Sequence, residues 1–353
     1  MKLDPRLKAL MEEGVTEGMG EQIGAQPGIV RSVLKAELHC HLEGAAEPSL
    51  VERLARKHKV DVSSIIRDGR YVWNHFTAFL NTYDVASTVF RDPEDYRLLT
   101  YDYFARLAEQ NAIYGEVFAS PDHAAEVGLS YEDLISAISD GIDAARREHG
   151  VEGRIIVTCI RHLGPDRAER VARLVANNPH PMVTGWGMAG DERMFEPADF
   201  ADAFEIAADA GLGLTCHAGE FAGPASIEGA LDNLFVSRIG HGVRAAESPE
   251  LLERLSEEDM VLEVCPGSNI DLGLYADMAA HPLSRLVEAG LRLTLNSDDP
   301  PFFHTSLENE YALANSCGLD AEDLLQFTRT ALEAAFVDET TRSKLLRRLD
   351  NAD

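Results

Sequence analysis

The segment GLTCHAGEFAGPASIEGALDNLFVSRIGHGV, residues 213–243, decides the fold because it contains one complete strand–helix–strand unit. Its two ends, GLTCHAGE and RIGHGV, are short apolar runs that finish in polar residues, which is typical of buried strands. The intervening PASIEGALDNLF has apolar residues three and four positions apart, the period of an amphipathic helix. Strands that alternate with helices pair in parallel, so this segment predicts one unit of a parallel sheet.

The same alternation continues on both sides of that unit. Eight candidate strands follow from it, at residues 35–43, 113–120, 154–162, 182–190, 213–220, 238–243, 260–269 and 292–300. Eight such units predict an α/β fold, a single closed (β/α)8 barrel of the TIM type. An open, doubly wound sheet is the alternative, and it is disfavoured because no glycine-rich phosphate-binding turn follows the first strand.

Two regions flank or interrupt the barrel pattern. Residues 1–34 are predicted to form a charged N-terminal helix and linker, and residues 35–353 the barrel domain. Residues 44–112 are too long for one crossover helix, and their aromatic stretch at 71–90 predicts either a lid over a pocket or a helix pair beside the barrel. Residues 305–353 are predicted to form C-terminal helices.

Charge and composition limit the partners. Sixty acidic residues against 32 basic ones give a formal charge of −28, which disfavours nucleic acid and anionic membranes. A hydrated surface accounts for this charge without any partner, and a neutral or cationic small molecule suits it best. No apolar run of about 18 residues occurs, so we expect no membrane span, and the N-terminus has no secretory signal. The five cysteines form no CxxC pair, which indicates a reducing, cytoplasmic location.

The stretch ELHCHLEG, residues 37–44, places a cysteine between two histidines and so raises the question of which side chain would bind a metal. Alternate residues of a strand point to opposite faces, so His39 and His41 share the barrel interior while Cys40 faces the helices. Cys216 stands beside His217 in the same relation. We therefore expect imidazoles to be the ligands, and both cysteines to be small buried hydrophobic residues.

Histidines and acids fall at the ends of four predicted strands, where the catalytic groups of such barrels converge. His39, His41, His217 and Asp298 are the candidate ligands for one zinc ion, although cobalt, iron or manganese would also suit them. A water on that ion would be the nucleophile. The sequence has no lysine between Lys59 and Lys344, which excludes a second ion bridged by a carboxylated lysine.

Three further residues have the chemistry of acids and bases. Glu220, three positions after His217, is predicted to transfer a proton to the substrate, with a helix N-cap as the alternative. His241 is predicted to accept or orient the proton of the metal-bound water, with a core histidine as the alternative. Of the adjacent aspartates, Asp298 is assigned as the ligand and Asp299 as a substrate contact, and the reverse assignment stays open.

Six motifs occur in a characteristic order: ELHCHLEG, MAGDE (188–192), HAGE (217–220), RIGHG (238–242), CPGSN (265–269) and NSDDP (296–300). Together they resemble those of the adenosine deaminase family, part of the metal-dependent amidohydrolase superfamily. The resemblance implies that Glu220 gives a proton to N1 of a purine while zinc-bound hydroxide attacks C6, assisted by His241. It also implies that Asp299 contacts the purine ring and that the backbone N–H of Gly190 lies near N3.

Two remaining substrate contacts follow from the same resemblance, namely His41 beside the substrate and Glu43 near a ribose hydroxyl. The implied reaction is zinc-dependent hydrolytic deamination of adenosine, and of 2′-deoxyadenosine, to inosine and ammonia. DDPPFFHTSL (298–307) followed by EY favours a nucleoside substrate. The alternatives are adenine, aminodeoxyfutalosine or N6-modified adenine as substrate and, remotely, a non-catalytic metal-containing binding protein. The expected partner is a small neutral purine nucleoside or base, and the oligomeric state stays open.

Overall fold

A closed barrel of eight parallel strands forms the centre of the molecule, in a computed structural model that describes residues 26–351. The strands are β1 (Lys35–Glu37), β2 (Ala112–Ala119), β3 (Glu152–Ile160), β4 (Val183–Ala189), β5 (Gly213–Ala218), β6 (Arg238–His241), β7 (Val261–Val264) and β8 (Arg292–Leu295). Each strand pairs with the next in chain order. The barrel closes where Cys40 pairs with Asp298, because the His41 N–H donates to the Asp298 carbonyl at 3.0 Å. The predicted (β/α)8 barrel is confirmed.

Helices cover the outer face of the barrel, so the strands are buried on both faces and consist of almost continuous apolar residues. All eight residues of β2, for example, are buried. The helices are α1 (Pro27–Ser32), α2 (Pro48–His58), α3 (Phe76–Ser87), α4 (Pro93–Glu109), α5 (Pro121–Glu126), α6 (Tyr131–His149), α7 (Pro165–Asn177), α8 (Ala201–Asp209), α9 (Pro224–Leu234), α10 (Pro249–Glu257), α11 (Pro266–Asp271), α12 (Leu283–Glu288), α13 (Leu307–Ser316), α14 (Ala321–Ala334) and α15 (Glu339–Asp350). Short 3-10 turns lie at Glu43–Ala45, Arg161–Leu163, Pro197–Phe200 and Val243–Glu247.

Helix α6 shows why the helices begin and end where they do. Ser130 caps α6 by accepting a hydrogen bond from the Asp133 N–H, and Gly150 ends that helix with a φ of 74°. The serine satisfies one of the free N–H groups of the first turn, and glycine adopts the left-handed conformation without steric cost.

The insertion between β1 and β2 consists of α2, a hairpin of Ile66–Arg67 with Arg70–Tyr71, and the helices α3 and α4. Its helix α3 lies over the carboxyl ends of the strands, where Phe76, Phe79 and Tyr83 line a cavity. Of the two alternatives for residues 71–90, the structure therefore shows the segment above the barrel mouth. The predicted C-terminal helices are confirmed as α13 to α15.

Most of the predicted N-terminal extension, residues 1–25, lies outside the described residues. The described part of it includes α1, whose Val30 is buried in the hydrophobic core. The domain boundary at residue 34 stays a prediction. Within residues 26–351 no helix is both long enough and apolar enough to cross a bilayer.

Candidate active site

The chain that continues from β1 presents histidines to the barrel mouth and a cysteine to the surrounding core. The rings of His39 and His41 each approach that of His217. Cys40 is fully buried in the main hydrophobic core, and burial raises the pKa of its thiol well above the ordinary value. Because a protonated thiol is a poor metal ligand, imidazoles and not Cys40 are the donors available here.

Four ligand atoms converge at this point. The Nε2 atoms of His39 and His41 lie 3.1 and 3.2 Å from the Nε2 atom of His217. Asp298 Oδ1 lies 3.3 Å from His41 Nε2 and 3.7 Å from His39 Nε2. Tetrahedral zinc with bonds of about 2.0–2.2 Å requires ligand atoms roughly 3.4 Å apart. The four side chains therefore fit a single small divalent ion without rearrangement.

Charge and backbone geometry also suit Asp298 and His217 to a metal. Burial and the neighbouring imidazoles lower the pKa of His217 well below its usual value, so the ring is neutral, the form that binds metal. Burial alone would raise the pKa of Asp298, but its hydrogen bond to His41 and the adjacent imidazoles hold that pKa well below the usual range. Asp298 has a φ of 61°, a strained conformation of the kind found at functional sites. Ser268 Oγ donates to Asp298 Oδ2 at 2.7 Å and fixes the carboxylate.

Glu220 and His241 lie on the cavity side of the cluster. His241 Nε2 is 3.8 Å from Glu220 Oε2 and 3.9 Å from Asp298 Oδ2. Burial, together with the charge of Asp298, raises the pKa of Glu220 well above its usual value, so this residue can carry a proton at neutral pH. Burial lowers the pKa of His241 to about 3, which leaves the ring neutral. Asn269 lies 3.3 Å from His241 Nδ1 and orients that ring.

Glu192, the last residue of the MAGDE motif, is a functional residue to which the sequence assigned no role. Its buried carboxylate accepts hydrogen bonds from four consecutive backbone N–H groups, those of residues 219–222, at 2.5 to 3.0 Å. Ser226 Oγ donates a fifth bond at 2.6 Å. Glu192 thereby fixes the turn that carries Glu220. An acid three residues after the end of β4 was the signal that could have shown it.

Glu263 of β7 is a second functional residue without a predicted role. Its Oε2 lies 2.7 Å from His39 Nδ1, so His39 donates there and keeps Nε2 free for a metal. Arg238 Nε lies 2.6 Å from Glu263 Oε1, and Thr215 Oγ1 donates to the same oxygen at 3.0 Å. A glutamate inside the apolar run MVLEVC was the available signal, since a buried acid needs partners.

Asp299 and Gly44 lie in direct contact. Asp299 is buried, and its Oδ1 has no hydrogen-bond partner among residues 26–351. A Cβ on Gly44 would lie 1.6 Å from that oxygen, so only glycine leaves room for the carboxyl group. Burial and the adjacent Asp298 raise the pKa of Asp299 well above its usual value. Asp299 lines the cavity, whereas the Asp298 carboxylate faces the imidazoles of the cluster.

Gly190 and Glu43 both line this cavity. Gly190 has a φ of 101°, and a side chain there would meet His162 Nδ1 at 2.8 Å, so glycine is required. The carboxylate of Glu43 is buried and accepts hydrogen bonds from Tyr83 Oη at 3.1 Å and Tyr96 Oη at 3.0 Å. The Glu43 carboxylate thus already accepts hydrogen bonds from two tyrosine hydroxyl groups.

The cavity lies between the ligand cluster and α3. Aromatic and aliphatic side chains of the insertion line it on one side, and acidic and imidazole groups line it on the side of the ligand cluster. Its lining residues, within the described part of the chain, include no lysine or arginine. A site of this kind can bind a flat, neutral ring, hold a divalent ion beside one edge of that ring, and move a proton.

A family model described as adenosine deaminase matches residues 34–352. The chain belongs to this family. It is 55% identical to an adenine deaminase of Chelativorans sp. over 90% of this chain and 98% of that protein. It is 53% identical to an adenine deaminase of Agrobacterium fabrum over 91% of this chain and 99% of that protein. The resemblance drawn from the six motifs is confirmed.

Solved structures of family members match the fold. An adenine deaminase from Arthrobacter aurescens, 26% identical, has a TM-score of 0.84 over 90% of this chain and 98% of its own. An amidohydrolase from Burkholderia ambifaria with bound Zn, also 26% identical, has a TM-score of 0.83 over 97% of this chain and 96% of its own. The chain is therefore a hydrolytic deaminase of a metal-dependent superfamily.

The prediction of adenosine as the substrate is wrong. Relatives more than half identical to the chain are named adenine deaminases, which favours the alternative, adenine. The residues that suggested a nucleoside have structural roles here. Phe302 stacks on Tyr71 with ring centroids 3.7 Å apart, and Tyr311 is buried beside Thr328, with their hydroxyl oxygens 2.8 Å apart. Of the residues that follow Asp298 and Asp299 in that stretch, Phe303 lines the cavity.

Proposed function

We propose that the protein hydrolyses adenine to hypoxanthine and ammonia. The observation that carries this proposal is a cavity that adjoins the ligand cluster and is lined by aromatic side chains of α3, which suits the flat ring of a purine. Relatives at more than 50% identity that are named adenine deaminases support the same substrate.

We assign one divalent ion, zinc, to the four convergent side chains, His39, His41, His217 and Asp298. The separations of their ligand atoms match a tetrahedral site, and a structural neighbour was solved with bound Zn. A bound zinc ion lowers the pKa of a coordinated water to near 7 and so supplies a nucleophile at neutral pH. Glu263 supports the assignment because it orients His39 with Nε2 towards the cluster.

Glu220 and His241 are proposed to handle the protons of the reaction. Attack at C6 places negative charge on the ring, and a proton delivered to N1 neutralises it. Glu220 is the acid at that position, since it is buried in the cavity wall and held by its turn. His241 is neutral, faces both Glu220 and Asp298, and can accept and orient the proton of the attacking water.

The ring is held by contacts that need no charge on the substrate. We assign Asp299 to contact with the purine ring and the Gly190 N–H to N3, with His41 beside the reacting edge. Glu43, whose carboxylate is occupied by Tyr83 and Tyr96, positions these phenols instead of contacting a ribose. The absence of lysine and arginine from the described cavity lining disfavours a nucleotide, because a phosphate requires such partners. The cytoplasmic location stays a prediction.

A substrate panel tests the proposal. The zinc-loaded enzyme is assayed for ammonia release from adenine, adenosine, 2′-deoxyadenosine and aminodeoxyfutalosine. We expect kcat/KM for adenine to exceed that of each nucleoside by at least about 100-fold, and Glu220→Gln to reduce kcat by a comparable factor. The exposed Glu253 provides the matched control, and Glu253→Gln should leave the rate unchanged. Faster turnover of adenosine than of adenine would refute the assignment, and equal rates for Glu220→Gln and the wild type would refute the proton donor.

A further inference from the structure

A fully buried arginine joins two carboxylates inside the barrel. Arg238 is the first residue of β6, at the end of that strand opposite to His241 and the ligand cluster. Its Nε lies 2.6 Å from Oε1 of Glu263, and its Nη2 donates to Oε2 of Glu116, in β2, at 2.7 Å. Both acids are fully buried. Neither Arg238 nor Glu116 takes part in the reaction proposed above.

Glu263 connects Arg238 to the ligand cluster. One of its oxygens, Oε1, faces Arg238 and also accepts a hydrogen bond from Thr215 Oγ1 at 3.0 Å. The other, Oε2, lies 2.7 Å from His39 Nδ1. Because a carboxylate is planar, contacts that fix one oxygen also fix the direction in which the other points. Arg238 and Thr215 therefore set the position from which Glu263 meets the His39 ring.

Phe336, in the short connection between α14 and α15, contacts both members of the pair formed by Arg238 and Glu116. Its ring covers the guanidinium group, with 3.6 Å between Arg238 Cζ and the ring centroid. Its backbone N–H donates to Glu116 Oε1 at 2.6 Å. Arg238 Nη1 also donates to the carbonyl group of Ala334 at 3.2 Å. The connection after α14 thus holds the arginine from the side away from His39.

The neighbouring strands leave space for this ring. Gly185 of β4 and Gly213 of β5 both lie against Phe336. A Cβ on Gly185 would come within 2.7 Å of the ring, and a Cβ on Gly213 would overlap it. The ring therefore occupies space that side chains of two strands would otherwise fill. Packed in this way, Phe336 fixes the plane of the Arg238 guanidinium group, and a cation over an aromatic face is itself a favourable contact.

We propose that Arg238 is a positioning residue for the zinc site and that Phe336 holds it in place, so that the C-terminal segment controls how tightly the barrel mouth binds its ion. This inference rests on the zinc site of the proposed function and not on the choice of substrate. Three contacts form the connection, from Phe336 to Arg238, from Arg238 to Glu263, and from Glu263 to His39. A carboxylate that orients a ligating imidazole contributes to metal affinity, and whatever orients that carboxylate contributes in turn.

The zinc affinity of the holoenzyme, measured by competition with a chelator of known affinity, tests this proposal. Arg238→Lys keeps the charge but has a single nitrogen that cannot face both carboxylates, so we expect the Kd for zinc to rise by about 10- to 100-fold. Phe336→Leu removes the aromatic face, and we expect a rise of at least about fivefold. Phe336→Tyr keeps that face and should stay within about twofold of the wild type.

A double-mutant cycle tests whether the effect of Phe336 passes through Glu263. In a Glu263→Gln background we expect Phe336→Leu to change the zinc Kd by less than about twofold, because the amide no longer offers one acceptor oxygen to each neighbour. An effect in that background as large as in the wild type would overturn the proposed connection.

Two controls separate positioning from a general loss of stability. Phe204→Leu alters a buried ring of α8 that packs against Trp186, and it should lower the melting temperature as Phe336→Leu does while zinc affinity stays unchanged. Arg173→Lys changes an exposed arginine of α7 and should match the wild type in both measurements. An equal loss of zinc affinity in Phe204→Leu and Phe336→Leu would overturn the inference, since that result indicates a packing defect.

The remaining outcomes also decide the question. A zinc Kd for Arg238→Lys within twofold of the wild type would overturn the inference. If Arg238→Lys does not fold, the comparison of Phe336→Leu with Phe336→Tyr decides it, and equal Kd values for these two variants would overturn it. Adenine turnover is measured in parallel, because a wild-type enzyme that binds zinc without hydrolysing adenine would refute the proposed substrate alone.

Discussion

Replacement of Glu192 by glutamine tests whether the active-site turn depends on one buried carboxylate. The substitution keeps the shape of the side chain and removes its charge. In the better amide orientation, the glutamine oxygen still accepts the N–H groups of residues 220–222, while its NH2 group faces the N–H of Gly219. Ser226 can rotate its hydroxyl group and accept from the new NH2 group. One backbone N–H therefore loses its partner, and three hydrogen bonds lose the contribution of a charged acceptor.

The magnitude follows from these four changes. A buried N–H without a partner costs about 1–3 kcal/mol, and each neutralised hydrogen bond loses roughly 0.5 kcal/mol. The substitution should therefore lower the free energy of unfolding by about 3 kcal/mol, which corresponds to a melting temperature lower by roughly 5 °C for a chain of this size. Because the same turn positions Glu220, a displacement of about 1 Å would reduce kcat by at least tenfold.

Three measurements on Glu192→Gln and on the exposed control Glu253→Gln check this reasoning. They are the melting temperature, kcat with adenine, and the zinc content per chain. We expect the first two to fall for Glu192→Gln and the zinc content to stay at the wild-type level, since Glu192 does not contact the ligand cluster. A melting temperature within 1 °C of the wild type together with an unchanged kcat would refute the role assigned to Glu192.

Two further substitutions test the contacts around the metal ligands and the substrate. Gly44→Ala would place a methyl group against the Asp299 carboxyl group, so we expect kcat/KM for adenine to fall at least about 100-fold. Gly28→Ala is the control, because a methyl group there would meet nothing within 4 Å, and it should leave kcat/KM unchanged. Glu263→Gln should weaken zinc binding by about 10- to 100-fold, because the acceptor that fixes the tautomer of His39 loses its charge and its second oxygen. The measurement is the zinc that remains after dialysis against a chelator, and retention equal to the wild type would contradict this expectation.

The wrong prediction of adenosine as the substrate shows that motifs shared by a family do not determine which substrate a member uses. The motifs that gave the family contain the ligands and the acid, and these residues are shared by members with different substrates. The stretch DDPPFFHTSL suggested a nucleoside, but Phe302 is buried against Tyr71 and Tyr311 is buried beside Thr328. Residues that close the cavity, such as His123 and Asp84, come from elements distant from those motifs in the sequence, so their proximity could not be inferred.

The sequence by itself determined the barrel and the direction in which its key side chains point. Strand and helix periods are local properties, and alternation along the predicted first strand, residues 35–43, separates His39 and His41 from Cys40. Only the tertiary structure decided what surrounds these groups. Glu192 and Glu263 act on residues from other strands, and α3 reaches the cavity from an insertion after β1. Such contacts depend on how the barrel closes in three dimensions, because closure brings together side chains that are hundreds of positions apart. The Ser297 hydroxyl and the Glu37 carboxylate, for example, lie 2.6 Å apart although 260 positions separate them in the sequence.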